Sequence, residues 1–100
     1  MQPMTPLWQA AEATSAKLRV YAQRQRLMIL VQLLRGESSV QQIDDATHIG
    51  QPALSQQLAM LRSASLVDAR REAKHVYYSL ANNEVRACVK QIETMFFTMT

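Results

Sequence analysis

Residues 51–62 place hydrogen-bonding and apolar side chains on opposite faces of a predicted helix. Leu54, Leu58 and Leu61 recur at positions i, i+4 and i+7, which is the spacing of one apolar helix stripe. The rest of the helix offers uncharged hydrogen-bonding side chains, namely Gln51, Ser55, Gln56 and Gln57. Glutamine can form two hydrogen bonds with adenine, and serine can bond donors or acceptors, so this face suits the major groove of DNA. The alternative is an ordinary surface helix with neutral side chains.

Other reactive side chains in the chain form no recognisable catalytic or metal-binding group. His48 and His75 lie in a predicted turn and a predicted strand, with no Cys or carboxylate at ligand spacing. Asp44 and Asp45 are adjacent, so they point in different directions on a helix and do not form an acid–base pair. The sequence contains no glycine-rich phosphate loop and no nucleophile elbow. We therefore expect no enzymatic activity, no metal and no cofactor.

Composition predicts one ordered, helix-rich domain over residues 1–100. Hydrophobic residues make up 48% of the chain and only two residues are glycine. The net charge of +3 is mildly basic and tolerates a polyanionic partner. No apolar run is long enough for a membrane span. The single cysteine excludes an intrachain disulfide and favours a reducing cytoplasm.

The N-terminal third of the sequence predicts two helices. Residues 1–6 contain two prolines and are expected to be frayed, whereas residues 7–22 are rich in helix-favouring Ala, Gln, Lys and Leu. Residues 26–35, RLMILVQLLR, are apolar around most of a helix, so this helix belongs in the centre of a small core. Gly36 is expected to end it.

Residues 38–64 predict a helix-turn-helix unit. Ser38 or Ser39 is expected to cap a short helix, in which residues 44–45 face outward. The inward positions of this helix are predicted to be Val40, Ile43 and Ala46. A turn near residues 48–50 then leads into the helix of residues 51–62, with Gly50 or Gln51 as its cap. Two short helices joined by a glycine-containing turn are characteristic of this unit.

Residues 66–80 predict a β-hairpin with a charged tip. A polar turn at residues 71–74 is followed by alternating β-branched and aromatic residues at 75–80. The basic side chains near the tip, and at the end of the preceding helix, are Arg62, Arg70, Arg71, Lys74 and His75. Most charged turns are simply solvated. This one directly follows a candidate groove-reading helix, so we expect it to contact phosphate.

A final helix at residues 82–97 carries more apolar surface than a small core can cover. Its stripe consists of Val85, Cys88, Val89, Ile92, Met95 and Phe96. The first helix, which contains Trp8, has a similar surplus. Pairing of these two helices with those of a second chain would bury both surfaces, so we expect a homodimer.

This order of elements resembles the ArsR/SmtB-type winged-helix repressors of bacteria, over roughly residues 10–97. The likeness is carried by RLMIL at 26–30, IGQPALSQQLAMLR at 49–62 and LVDARREAKHVYYSL at 66–80. It is strongest to the persulfide- and redox-responsive branch that includes BigR and HlyU. The resemblance implies a mainly α winged helix-turn-helix fold with a hairpin wing. It also implies a cytoplasmic dimer on a DNA operator, with an effector that alters DNA affinity.

The resemblance also assigns roles to individual residues. It aligns Gln51, Ser55, Gln56 and Gln57 with base-reading positions. It aligns Arg70, Arg71 and Lys74 with the wing, which contacts phosphate.

The chain departs from that family at the junction before the central helix and at the positions used for sensing. Arg24 stands where many relatives have proline, residues 40–45 lack the sulfur ligands of metal sensors, and residues 82–100 contain neither His nor Asp. The positions of the cysteine pair in the dithiol branch align with Val31 and Phe97. Only Cys88 remains, and we expect it to be a buried small hydrophobe. The alternatives for Cys88 are an interchain bridge or oxidation on its own.

Two functions follow from the sequence. The first is a sequence-specific transcriptional regulator, a repressor that binds a palindromic operator as a homodimer. The alternative is a dimerisation or protein-interaction module of the same fold that has lost DNA binding. The intact polar face at residues 51–57 and the basic tip at residues 70–75 favour the first, because the alternative requires neither.

Overall fold

The computed structural model describes residues 5–97 and contains five helices and three strands in that range. The elements are α1 (Pro6–Tyr21), α2 (Arg24–Leu33), β1 (Ser38–Ser39), α3 (Val40–Thr47), α4 (Ala53–Ser63), β2 (Val67–Glu72), β3 (His75–Leu80) and α5 (Asn83–Phe96). This confirms the predicted mainly α winged helix-turn-helix fold.

The first two helices begin earlier than predicted because polar side chains cap them. The Thr5 hydroxyl accepts a hydrogen bond from the backbone N–H of Trp8, and Pro6 starts α1. Residues 1–4 of the segment expected to be frayed lie outside the described residues, but Thr5 and Pro6 belong to the ordered helix start. The Gln23 side chain caps α2 in the same way, so α2 begins at residue 24 rather than 26.

Helix α3 begins as predicted but turns a different face inward. Ser39 and Gln42 form a reciprocal capping box at its N-terminus. Ile43 is fully buried, whereas Ala46 is exposed and the prediction that it faces inward is wrong. The inward stripe follows residues 40, 43, 44 and 47, so the prediction that Asp44 faces outward is also wrong, and Ala46 lies to one side of the stripe.

The hairpin is confirmed, and it belongs to a three-stranded antiparallel sheet of order β1-β3-β2. Glu72 pairs with His75, so the turn consists of Ala73 and Lys74 rather than the predicted residues 71–74. Ala73 adopts φ +54°, which lets two residues reverse the chain. The sequence did not predict β1, because two residues are too few to show an alternating pattern.

The core surrounds α2, as its apolar circumference predicts. Ile29, Leu30 and Leu33 are fully buried and pack with leucines of α4 and valines of α5. Helix α2 ends at Leu33, and Gly36 at φ +132° lies in the link to β1. No helix of the described residues is long and apolar enough to cross a membrane.

Helix α1 and the end of α5 lie largely outside this core. Helix α1 contributes no buried residue, and the described residues span 53 × 32 × 25 Å. Large apolar side chains are exposed on both helices, including Leu7 (80%), Met95 (68%) and Phe96 (74%). Each of these two helices therefore exposes large apolar side chains that the rest of the described chain does not cover.

Candidate nucleic-acid interface

Helix α4 is held by its leucine stripe and by the turn that precedes it. Leu54, Leu58 and Leu61 are buried in the core, as their spacing predicts. His48 ends α3 in a left-handed conformation, at φ 54°, and its ring is exposed. The Gly50 N–H donates to Asp44 Oδ1 at 2.9 Å, which fixes the chain as it enters α4. The opposite side of α4 is therefore presented to solvent in a defined direction.

Pro52 is the N-cap of α4, so the prediction of Gly50 or Gln51 as its cap is wrong, but the Gln51 side chain still bonds the first turn of the helix. Its Oε1 accepts hydrogen bonds from the Ser55 backbone N–H at 3.1 Å and from the Ser55 hydroxyl at 2.7 Å. A backbone N–H can only donate, so the orientation of the Gln51 amide is determined. The carbonyl oxygen of Gln51 is occupied, and its NH₂ group is the part left for an external acceptor.

The two remaining glutamines of α4 differ in their surroundings. Gln56 is exposed. Gln57 is half-buried, and its Oε1 accepts from Arg26 Nε at 3.0 Å while its Nε2 donates to Gln25 Oε1 at 3.1 Å. The structure thus brings Gln51, Ser55 and Gln56 together on the outer side of α4, and it turns Gln57 toward α2.

Ala59 shares the exposed side of α4 with Ser55 and Gln56, and sequence reasoning missed it. With 3.6 residues per turn, Ala59 and Gln56 lie about 140° and 160° around the helix from Leu54, whereas Gln57 lies only about 60° away. The helical spacing therefore places Ala59 on the outer side of α4. Its side chain has no hydrogen-bonding group, so it was not predicted to contact DNA. A cavity of about 400 Å³ separates this side of α4 from the sheet, and its lining includes Ser55, Ala59, Arg62 and Tyr78.

Arg70 is the best-anchored cation of the wing. Its guanidinium donates to both Glu37 carboxylate oxygens, contacts Glu72, and lies 4.9 Å from the centroid of the Tyr77 ring. Hydrogen bonding from Arg70 lowers the pKa of Glu37, and the two carboxylates raise the pKa of Arg70. The positive charge of Arg70 is therefore largely compensated within the chain.

The other predicted phosphate-contacting residues are exposed and less constrained. Arg71, Lys74 and His75 lie at the wing tip, and Arg62 lies in the last turn of α4. Within residues 5–97, none of these four side chains forms an ion pair with a carboxylate. The His75 ring is 6.2 Å from the Tyr77 ring, beside the Arg70 cluster. These four positions thus form a basic rim beside the outer side of α4.

The positions associated with sensing hold no thiol pair. Cys88 is half-buried, so the prediction that it is a buried small hydrophobe is only partly met. Burial, and secondarily the Cys88 thiol, raise the pKa of Tyr21 on α1 to about 12. Val31 and Phe97 line one cavity of about 330 Å³. Among the described residues, no three His, Cys, Asp or Glu side chains are grouped to hold a metal ion.

These elements define a winged helix-turn-helix DNA-binding protein. The sequence model of the family described as "Bacterial regulatory protein, arsR family" matches residues 24–69. The biofilm growth-associated repressor of Agrobacterium fabrum is 36% identical over 94 residues, covering 94% of this chain and 80% of the relative. The transcriptional activator HlyU of Vibrio cholerae is 39% identical over 92 residues, covering 88% of this chain and 85% of the relative.

A solved structure gives the same result. The homodimeric winged helix-turn-helix DNA-binding domain from Mycobacterium bovis aligns with a TM-score of 0.75 and 30% identity, covering 94% of this chain and 88% of that one. The chain belongs to the ArsR family of bacterial DNA-binding transcriptional regulators, which are not enzymes. This confirms the resemblance and favours the regulator over a module without DNA binding.

Proposed function

We propose that the chain, as one domain, forms a homodimer that binds a palindromic operator in the bacterial cytoplasm and represses transcription. The observation that carries this proposal is the exposed, uncharged side of α4 beside the basic rim of Arg62, Arg71, Lys74 and His75, whose side chains form no ion pair within residues 5–97. A polar face of this kind suits base edges, and adjacent cations suit the phosphates that border the groove.

Base reading is assigned to the outer side of α4. Gln56 can bond adenine through both ends of its amide, and Ser55 and the Gln51 NH₂ group can bond neighbouring base edges. Gln57 was also predicted to read bases, but its amide already bonds Arg26 and Gln25, so we assign it a supporting role.

Phosphate contact is assigned to Arg62, Arg71, Lys74 and His75. All four side chains are exposed. Arg62, Arg71 and Lys74 are cations that can approach a phosphate without first breaking an ion pair, and the His75 ring can donate an N–H to a phosphate oxygen. Arg70 was predicted to do the same. Because its charge is compensated by Glu37 and Glu72, we assign it to hold the wing in place.

Dimerisation is assigned to α1 and α5. Leu7, Leu18, Met95 and Phe96 are all more than half exposed in the single chain, and burial of such surface drives association. Two-fold pairing would place the two α4 helices in successive major grooves, about 34 Å apart. The M. bovis domain described above is homodimeric, which supports the assignment by likeness.

The test combines mass and DNA binding. Sedimentation of the purified chain at micromolar concentration should give twice the chain mass. A duplex selected from a random DNA library should contain two inverted half-sites and bind one dimer. A monomer at these concentrations, or a selected site with a single element, would overturn the dimeric proposal.

In a reporter with the selected site across the promoter, expression should fall when the protein is present. Increased expression would identify an activator instead.

A further inference from the structure

Helix α1 is attached to the rest of the described chain mainly at its C-terminal end. It has no buried residue, and among its residues only Val20 and Tyr21 pack against the core. The backbone turns at Ala22 and Gln23 before α2 begins. The direction of α1 therefore depends on a few contacts at this junction.

Arg26 makes the polar contact that closes the junction. Its Nη1 donates to the Val20 carbonyl oxygen at 3.1 Å, and its own backbone N–H donates to Gln23 Oε1 at 2.8 Å. The Val20 carbonyl is one of the last four carbonyls of α1, and these receive no hydrogen bond from an N–H group inside the helix. A cation at this end also complements the helix dipole. Arg26 thus satisfies an orphan group of α1 from a position on α2.

The same guanidinium reaches α4. Arg26 Nε donates to Gln57 Oε1 at 3.0 Å, and Gln57 Nε2 donates to Gln25 Oε1 at 3.1 Å. Arg26, Gln25 and Gln57 are all partly buried, which limits competition from water. Because the guanidinium is planar and its donors have fixed directions, the Val20 carbonyl and the Gln57 amide cannot move independently while both bonds persist.

From these contacts we infer that Arg26 is a positioning residue that couples the direction of α1 to that of α4. The inference rests on the proposed homodimer, in which α1 lies at the subunit interface. There, the relation between α1 and α4 within each subunit determines the separation and relative angle of the two α4 helices. Arg26 and Gln57 therefore set which half-site spacing the dimer accepts, and they do so without touching a base.

The experiment measures spacing preference rather than affinity alone. A selected palindromic duplex is compared with versions in which the central spacer is one or two base pairs shorter or longer. The wild-type dimer should lose about tenfold or more in affinity for each one-base-pair change, because each displaces and rotates a half-site. Arg26→Met and Gln57→Leu should both reduce this loss to threefold or less. Their affinity for a duplex with one half-site should stay within twofold of wild type.

Matched variants separate positioning from folding and from base reading. Arg26→Lys keeps the charge but not the planar fork, so it should also broaden the spacing profile. Gln56→Ala should lose base discrimination and keep the wild-type profile. The spacing profile of the double variant, Arg26→Met with Gln57→Leu, should be no broader than that of Arg26→Met alone, because both changes break the same link between α1 and α4.

The outcomes distinguish this inference from the proposed function. A wild-type dimer with a sharp spacing profile that is unchanged in folded, dimeric Gln57→Leu would overturn the coupling and leave the proposed function standing. Loss of discrimination at one base pair in Gln57→Leu would identify Gln57 as a base-reading residue and overturn the inference. A wild-type chain that is monomeric, or shows no spacing preference, would instead contradict the proposed dimer. If Arg26→Met fails to fold, the spacing profile of Gln57→Leu tests the coupling, because that variant keeps the hydrogen bond from Arg26 to the Val20 carbonyl.

Discussion

Arg70 and Glu37 form a two-point ion pair, in which Nε and Nη2 of the guanidinium donate to the two carboxylate oxygens at 3.0 and 2.7 Å. Glu37 precedes β1, and Arg70 lies in the middle of β2. The pair therefore ties the hairpin to the segment that leads into the helix-turn-helix unit. A geometry of this kind is stronger and more directional than an ordinary surface ion pair.

The first prediction concerns the salt dependence of DNA binding. Arg71→Ala and Lys74→Ala should each weaken binding to all sequences and lower the slope of log K against log salt by about one, because each removes one phosphate contact. Arg70→Ala is the matched control and should leave the slope nearly unchanged, because its charge is already compensated by two carboxylates. Titrations at several salt concentrations measure the slope. An equal fall in Arg70→Ala, with the wild-type slope retained in Glu37→Gln, would show that Arg70 contacts phosphate, because both variants break the wing anchor and only the first removes the cation.

The second prediction concerns acid stability. Arg70 lowers the pKa of Glu37 below its ordinary value of 4.5, so the ion pair stabilises the fold fully above that pH. The contribution is lost as the pH falls through the lowered pKa, where the folded carboxylate is protonated. Glu37→Gln should therefore have a lower melting temperature than wild type at neutral pH. Thermal melts across the acidic range should show the two proteins converging, and a constant difference down to the lowest pH would contradict this.

The third prediction concerns base reading. Ser55→Ala and Gln56→Ala should each cost about 1–3 kcal/mol on the selected site and relax the sequence preference there. Gln41→Ala removes an exposed glutamine from α3 and serves as the control, with sequence preference retained. Competition against duplexes with single base changes gives the measurement. Unchanged preference in both α4 variants would assign base reading to another element.

The fourth prediction concerns Ala59. A methyl group on the outer side of α4 can contact the 5-methyl group of thymine. Replacing one thymine per half-site with deoxyuridine removes two methyl groups from the palindrome, so it should weaken binding of the wild-type dimer by about fifteenfold, at about 0.8 kcal/mol for each buried methyl group. Ala59→Gly should lose this dependence. The ratio between the two duplexes is measured within each protein, so any effect of glycine on helix stability cancels. Persistence of the thymine effect in Ala59→Gly would exclude the contact.

The fifth prediction concerns the effector. The chain has a single cysteine, and an intrachain disulfide requires two sulfur atoms with their Cα atoms within about 7 Å. Operator affinity should therefore be the same under reductant, with a persulfide donor and with added zinc. Cys88→Ser is the comparison for each condition. A change of tenfold or more that disappears in Cys88→Ser would reveal a single-cysteine sensor.

Residue types and spacing predicted most of the fold. The leucine spacing of residues 54–61 predicted α4, the apolar run at residues 26–35 predicted the central helix, and the serines at 38 and 39 predicted the start of α3. In each case the signal lies within one helix, where 3.6-residue periodicity and capping are read directly from neighbours. Strand β1 was not predicted, because its formation depends on pairing with Tyr77 and Tyr78, which lie almost 40 residues away in the sequence.

The candidate site was less predictable, because side-chain direction depends on what packs beside the helix. Gln56 and Gln57 are identical and adjacent, yet one is exposed and the other bonds Arg26. Arg70 and Arg71 are likewise adjacent and differ because alternate residues of a strand face opposite sides. Glu72 lies two residues along the same side of β2, but only the tertiary fold brings Glu37 to Arg70. Sequence identifies such candidates, and tertiary contacts decide between them.

In the proposed function, the separation of core-packing and outward residues on α4 lets the preferred DNA sequence change without a change in the fold. Leu54, Leu58 and Leu61 hold the helix, while residues 55, 56 and 59 make no contribution to the core. Substitutions at these three outward positions can therefore accumulate with little effect on folding. A library randomised there, with Arg26 and Gln57 retained, is a route to regulators with new target sequences and the half-site spacing of the proposed dimer. The same freedom lets gene copies within a genome diverge toward separate promoters.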